Sequence, residues 1–274
     1  MDRYAVVGNP VGHSLSPGIH AAFAAATGEP VSYTTVLAPL DGFAACVEVF
    51  FAEGGAGLNV TVPFKGVAAD WVDELDPAAA TARAVNTIAR REDAFRGFNT
   101  DGAGLLRDLQ GNCGVTLSGA RILLLGAGGA ARGVLGPLLQ ESPASLVIAN
   151  RTAARARQLA EAFRGEANAA ALSTAPLAEV GEGFDLVINA TSAGLRDAVV
   201  PLSPRTAAGA LCYDMVYAVP AGGTAFCRWA AAHGAAGTMD GLGMLVEQAA
   251  LAFEIWRGVL PDTAPVLERL RRPV

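Results

Sequence analysis

Cysteine and histidine are scarce in this chain, and their scarcity closes several routes. The four cysteines, Cys46, Cys113, Cys212 and Cys227, stand far apart with no CxxC spacing. They fit reduced thiols better than a disulfide or zinc framework, which makes the cytoplasm the expected compartment. The three histidines, His13, His20 and His233, lack ligand spacing, so metal-assisted chemistry is not expected. Basic residues are in the minority: 20 Lys and Arg against 26 Asp and Glu leave a formal charge of −6. Nonspecific nucleic-acid binding needs a basic face to displace counterions, so that class is disfavoured, and an anionic ligand has to be held by local donors. No run approaches the ~18 to 20 apolar residues of a bilayer span. The N-terminus enters a strand-like stretch with no basic segment before an apolar one, so a secretory signal is not expected. No fixed-period repeat is present.

What the chain has in quantity is apolar surface. Of its 274 residues 52% are apolar and 17% charged, a globular composition sized for one large or two modest domains. Short apolar runs recur at Tyr4–Val7, Ser32–Val36, Gly57–Val62, Ala84–Ala89, Ala94–Gly97, Arg121–Leu125, Leu146–Ala149, Leu186–Asn189 and Leu211–Met215. Helix-compatible stretches separate them, at Pro17–Thr27, Gly42–Glu53, Thr152–Phe163 and Thr224–His233. Strands separated by helices imply an α/β protein with parallel sheets and crossover helices. A helix start in "FNTDGAGLLRDL" and a fresh strand–helix–strand unit after Gly119 place a division near residue 103. The expected organisation is a first domain of residues 1–103 and 238–274 and a second of 104–237, with the helical tail from Gly241 returning to the first.

The second domain opens on "RILLLGAGGAARGVLGPLL". Gly126, Gly128 and Ala131 form a GxGxxA pattern directly after an apolar strand and at the head of a helix. Gly126 allows the tight turn, Gly128 lets backbone N–H groups approach a pyrophosphate, and Ala131 keeps helix and strand close. The alternative is an ordinary glycine-rich turn, but strand, helix and next strand all stand where a dinucleotide site requires them. After that next strand an NAD site usually carries an acidic residue for the ribose 2′-hydroxyl. This chain has Asn150, Arg151, Thr152 and then Arg155. Arginines are mildly unfavourable at a helix N-terminus, and planar charged donors suit a 2′-phosphate, so NADP(H) is expected over NAD(H).

Polar side chains gather at segment ends in the first domain: Ser14 and Ser16 in "GNPVGHSLSP", Asn59, Thr61 and Lys65 in "NVTVPFK", Asn86 in "AVNT", and Asn99, Thr100 and Asp101 in "GFNTDG". Each has an ordinary reading. Ser16 before Pro17 suits a helix cap, a lysine at a strand end is usually a solvated charge, and Asp101 suits a cap. Together, beside a dinucleotide domain, they favour a site for a hydroxylated ligand.

Taken in order, "GNPVGHSLSP", "NVTVPFK", "AVNT", "FNTDG", "GAGGAARG", "NRT", "NATSAG", "YDMVY" and "DGLGMLVEQ" resemble the NADP-dependent shikimate dehydrogenase family over essentially the whole chain. The resemblance implies an oxidoreductase that reduces 3-dehydroshikimate to shikimate in aromatic amino-acid (chorismate) biosynthesis. It implies an N-terminal α/β substrate domain, a Rossmann-like NADP domain, and C-terminal helices returning to the first. It further implies Lys65 and Asp101 as the catalytic pair and Ser14 and Ser16 on the substrate carboxylate, with Tyr217 near that end. Asn59, Thr61, Asn86, Asp101 and Gln248 would meet ring hydroxyls. Gly126, Gly128, Gly129 and Ala130 would hold the pyrophosphate, and Asn150, Arg151, Thr152 and Arg155 would face the adenosine phosphate. Thr191, Met215 and Gly241 would line the ribose and nicotinamide. Val11 and Ala21 depart from the family's usual isoleucine and asparagine, away from any of these contacts.

Two rival readings share these residues: a quinate/shikimate dehydrogenase of broader specificity, some of which prefer NAD, and a binding protein that senses NADP or shikimate without turnover. The intact Ser14/Ser16 pair and the arginines near Asn150 lean against the first, and the retained Lys65 and Asp101 against the second. No exposed heptad suggests a partner helix, and monomer and homodimer both stay open.

Overall fold

The computed structural model describes residues 1–92, 94–191, 200–218 and 223–272. The chain divides into two compact units, one built from Met1–Gly104 and Leu245–Leu270, the other on Leu105–Met244.

The first unit contains β1 (Asp2–Gly8), α1 (Ser16–Thr27), β2 (Val31–Leu37), α2 (Phe43–Ala52), β3 (Gly55–Val60), α3 (Lys65–Trp71), β4 (Glu74–Leu75), α4 (Pro77–Ala82), β5 (Thr87–Arg91) and β6 (Ala94–Phe98), and α5 (Asp101–Arg107) begins in it. Its sheet runs in the order β2-β1-β3-β5-β6-β4. The β1, β2 and β3 strands are parallel, because α1 and α2 carry the chain back between them, whereas β5 and β6 join antiparallel. One face of the sheet, with Ala5, Val7, Leu58, Val60 and Ile88, packs on Phe43, Val47, Phe50, Phe51 and Phe64. Side chains alternate along a strand, so Tyr4, Tyr33 and Asn59 share the opposite face. There Tyr4 stacks on Trp256 and Tyr33 on His20. The polar residues of this sheet are therefore concentrated on one side and near the strand ends.

The second unit holds β7 (Arg121–Leu125), α6 (Gly129–Gln140), β8 (Ser145–Asn150), α7 (Ala153–Ala162), β9 (Leu172–Pro176), β10 (Leu186–Asn189), β11 (Leu211–Asp214), α8 (Ala225–Ala232) and β12 (Gly237–Met239). Its strands are all parallel, in the order β12-β11-β10-β7-β8-β9. This is the doubly wound dinucleotide-binding order, whose direction reverses between β7 and β10. Apolar side chains from both sheet faces are buried, which is why these strands read as unbroken hydrophobic runs. The helices α9 (Leu242–Arg257) and α10 (Ala264–Arg271) complete the chain.

Several expectations need correction. The β4, β9 and β12 strands were not anticipated; they stand at sheet edges, where little burial is required. Because β12 pairs with β11, residues 238–244 belong to the second unit, and the chain rejoins the first at Leu245 rather than at 238. Thr61 lies just past β3, although its N–H still bonds Val7 O at 2.9 Å. Residues 84–86 precede β5 rather than forming part of it. Ser16 is the first residue of α1, not its cap.

Candidate active site

Lys65 begins α3, and the segment before it is fastened on both sides. Phe64 is buried against Phe43 in the core, its N–H bonds Thr61 O at 3.0 Å, and Lys65 O accepts from Val85 N at 2.8 Å. The backbone thus aims the amine inward. Lys65 Nζ lies 2.6 Å from Asp101 Oδ2, with the two side chains 19% and 6% exposed. Asp101 opens α5, where a negative charge suits the helix dipole. Its amide bonds Asn99 Oδ1 at 3.1 Å. Asn86 Nδ2 reaches Asp101 Oδ1 at 2.8 Å and Thr100 Oγ1 at 2.9 Å, with Gln248 Oε1 at 3.3 Å. Both carboxylate oxygens are therefore engaged, one by the lysine and one by an amide that Thr100 N also holds through Asn86 Oδ1.

Lys65 is also the only lysine in the chain; every other one of its 20 basic residues is arginine. A guanidinium cannot be deprotonated under protein conditions, while an amine can. That composition is a signal that motif spacing passes over: wherever a fixed positive charge suffices, this chain uses arginine.

The other residues expected at the substrate site divide between the units. Asn59 is buried on β3, its Nδ2 bonding Asn86 O at 3.1 Å and Thr87 Oγ1 at 3.0 Å. Ser14 Oγ accepts from Ser16 N at 3.2 Å, so Ser14 satisfies the helix start and leaves the Ser16 hydroxyl free of a capping bond. Gln248 comes from α9, brought in by Gly104: a Cβ on that glycine would stand 2.7 Å from the Gln248 Cβ, so only glycine lets α5 and α9 approach here. Tyr217 lies in the second unit beyond β11 and is half-buried. Sequence reasoning singled out neither Tyr33, whose hydroxyl donates to Asn59 Oδ1 at 2.7 Å, nor Thr87.

In the second unit Gly126 leaves β7 with φ +108°, a conformation that favours glycine, and a Cβ there would stand 3.0 Å from Ala190 O. The first turn of α6, entered through Gly128 and Gly129 and followed by Ala130, has no side-chain cap and no acidic residue. Open space surrounds the positions where Gly128 and Gly129 would carry a Cβ. Uncapped amides, open space and the adjoining sheet reversal fit a bound pyrophosphate. At the end of β8, Asn150 Nδ2 bonds Thr152 O at 3.0 Å. Arg151 and Arg155 are exposed at the uncapped start of α7, and neither forms an ion pair among the described residues. Thr191 Oγ1 bonds Asn189 Oδ1 at 2.8 Å, and Gly241 packs so closely on Met215 that a Cβ would fall 2.4 Å from its carbonyl oxygen. A buried network that motif reading did not assign ties these ends together: Asp214 accepts from Asn189 Nδ2 at 3.0 Å, Val216 N at 3.1 Å and Thr224 Oγ1 at 2.6 Å. Burial pushes the Asp214 carboxyl above its ordinary value, while these three donors pull it back. Residues 192–194 of "NATSAG" lie outside the described residues.

Fold and site together define a two-unit α/β protein in which a Rossmann-type sheet follows a polar, lysine-centred sheet. Comparison places it more narrowly. Residues 6–88 match the shikimate dehydrogenase substrate binding domain, residues 109–198 the shikimate/quinate 5-dehydrogenase domain, and residues 241–271 the shikimate 5′-dehydrogenase C-terminal domain. Shikimate dehydrogenase (NADP(+)) of Hahella chejuensis is 55% identical over 274 residues, covering 99% of each chain. The corresponding protein of Alkalilimnicola ehrlichii is 54% identical, covering 98% of each. Among solved structures, shikimate 5-dehydrogenase from Thermus thermophilus, in complex with NADP(H) and shikimate, is 36% identical and superposes over 100% of both chains with a TM-score of 0.87. The chain belongs to the shikimate dehydrogenase family.

Proposed function

We propose that this chain catalyses the reversible, NADP-dependent reduction of 3-dehydroshikimate to shikimate, a step of aromatic amino-acid (chorismate) biosynthesis. The observation that carries the catalytic reading is the Lys65–Asp101 pair at 2.6 Å, set among the amides of Asn86 and Gln248. NADPH, when bound, supplies the hydride. The Lys65 ammonium donates a hydrogen bond to the ring ketone, offsets negative charge as it develops on that oxygen, and gives it a proton. In the reverse direction the neutral amine takes the hydroxyl proton. Asp101 orients the amine and Asn86 orients Asp101.

The same reading assigns the residues about this pair. Ser14 and Ser16 bind the substrate carboxylate, with Tyr217 at that end. Asn59, Thr61, Asn86, Asp101 and Gln248 bind the ring hydroxyls. The Met1–Gly104 and Leu245–Leu270 unit is then the substrate domain. In the other unit, Gly126, Gly128, Gly129 and Ala130 hold the pyrophosphate, and Thr191, Met215 and Gly241 border the ribose and nicotinamide. Asn150, Arg151, Thr152 and Arg155 take the 2′-phosphate. The unpaired state of all four cysteines supports a cytoplasmic setting.

The test is NADP+ with shikimate, followed at 340 nm, against parallel reactions with quinate and with NAD+. Rapid reduction with NADP+ and shikimate alone is expected. Faster turnover of quinate, or none of either acid, would overturn the assignment.

A further inference from the structure

His20 sits on α1 with no exposed surface, and neither of its ring nitrogens has a hydrogen-bond partner among the described residues. Buried polar atoms are nearly always bonded, and an apolar side chain of similar size would avoid the penalty. Packing alone gives no reason for a histidine at this position. Its surroundings are aromatic: the imidazole stacks on Tyr33 with ring centroids 4.1 Å apart and 7° between planes, and Phe23, Phe253 and Trp256 close round it. Burial holds the ring neutral, pushing its pKa down to about 3, with the nearby Asn59 side chain opposing the shift.

Tyr33 connects this stack to the polar cluster. It stands on β2 opposite Tyr4 of β1, while Asn59 of β3 stands opposite Val6. The Tyr33 hydroxyl crosses that distance to donate to Asn59 Oδ1 at 2.7 Å. With Asn59 Nδ2 bonded to Asn86 O and Thr87 Oγ1, the donor at Oδ1 leaves the amide one orientation. Burial raises the Tyr33 phenol well above its ordinary value, so the hydroxyl keeps its proton and stays a donor to that oxygen. The Tyr33 hydroxyl thus holds a group assigned to the substrate.

We propose that His20 and Tyr33 form a positioning pair: the imidazole seats the phenol ring, and the Tyr33 hydroxyl sets Asn59 in the arrangement that receives a hydroxylated carboxylic acid. The proposal rests on the shikimate reading of the site. Neither residue transfers a proton in it; both act through Asn59. Their loss therefore falls on substrate affinity rather than on the chemical step.

Tyr33→Phe keeps the ring and removes only the hydroxyl. KM for shikimate should rise about 5- to 10-fold, the scale of one lost hydrogen bond. The kcat and the KM for NADP+ should stay within about twofold, a split that general damage to the fold would not produce. His20→Leu, which removes the seat, should raise KM for shikimate in the same selective way. A KM for shikimate within twofold of wild type in Tyr33→Phe overturns the pair, as does a rise matched by equal losses in kcat and in NADP+ binding. If His20→Leu fails to fold, Tyr33→Phe decides alone. Wild-type protein in the same assay separates the two ideas. If it does not oxidise shikimate the substrate reading fails, whereas a working wild type with unaltered variants sinks only the positioning pair.

Discussion

Replacing Lys65 should damage rate and stability by separable amounts. In Lys65→Met the Asp101 carboxylate, 6% exposed, keeps Asn86 but loses its counter-charge at 2.6 Å. Breaking one side of a buried ion pair typically costs ~3–5 kcal/mol; with the amine partly exposed, about 2–3 kcal/mol is the expected loss here. The kcat should fall at least about 100-fold, or about 2.7 kcal/mol in the barrier, the scale of a lost general acid or base. Adding Asp101→Asn removes the stranded charge, so the double variant should regain most of the stability and none of the rate. Lys65→Arg is the sharper probe. It keeps the charge and can pair with Asp101, so stability should stay within about 1 kcal/mol, yet the guanidinium retains its proton and kcat should stay about 100-fold down. Initial rates at 340 nm and urea unfolding measure both quantities on the same preparations. A Lys65→Arg enzyme within tenfold of wild-type kcat would refute proton transfer by Lys65 and leave it only a charge. Because the chain has no other lysine, an isotope-labelled reductive methylation would report on this side chain and the N-terminal amine alone.

Replacing both Arg151 and Arg155 with alanine should raise KM for NADPH at least about tenfold while changing KM for NADH much less, since only the former carries a 2′-phosphate for these guanidinium groups to meet; equal changes for the two cofactors would mean that they bind no 2′-phosphate. His20 should make the protein acid-sensitive with a definite sign. Above its ordinary value of 6.5 the ring is neutral in both states, and as pH falls the unfolded chain takes up a proton that the native one refuses until about 3. Stability should therefore decline as pH drops below 6.5, by about 2 kcal/mol at pH 5, and His20→Leu should lack that part of the decline in urea unfolding. Gly104→Ala should cost about 1–3 kcal/mol and raise KM for shikimate, because its methyl would collide with the Gln248 backbone; a variant as stable as wild type with normal KM would show that α5 and α9 can shift apart without consequence.

What the sequence determined by itself is local. The GxGxxA loop is read within one strand–turn–helix, and the structure places the left-handed glycine, the uncapped helix start and the open space over Gly128 at those positions. Central strands were legible because burial on both faces makes them continuous apolar runs, whereas β4, β9 and β12 at the edges carry no such imprint. Lys65 and Asp101 could each be suspected from motif context, and the absence of any other lysine strengthens the first. Only the tertiary structure decided what these residues touch. Asp101 is 36 positions from Lys65, and Gln248 is 162 from Asn86. Contacts at that range depend on strand order, on helix approach at Gly104 and on the return of α9 to the first unit, none of which leaves a local pattern. The same holds for His20, Tyr33 and Asn59: a histidine in an apolar helix and a tyrosine in a strand are unremarked in sequence, until the sheet brings them together.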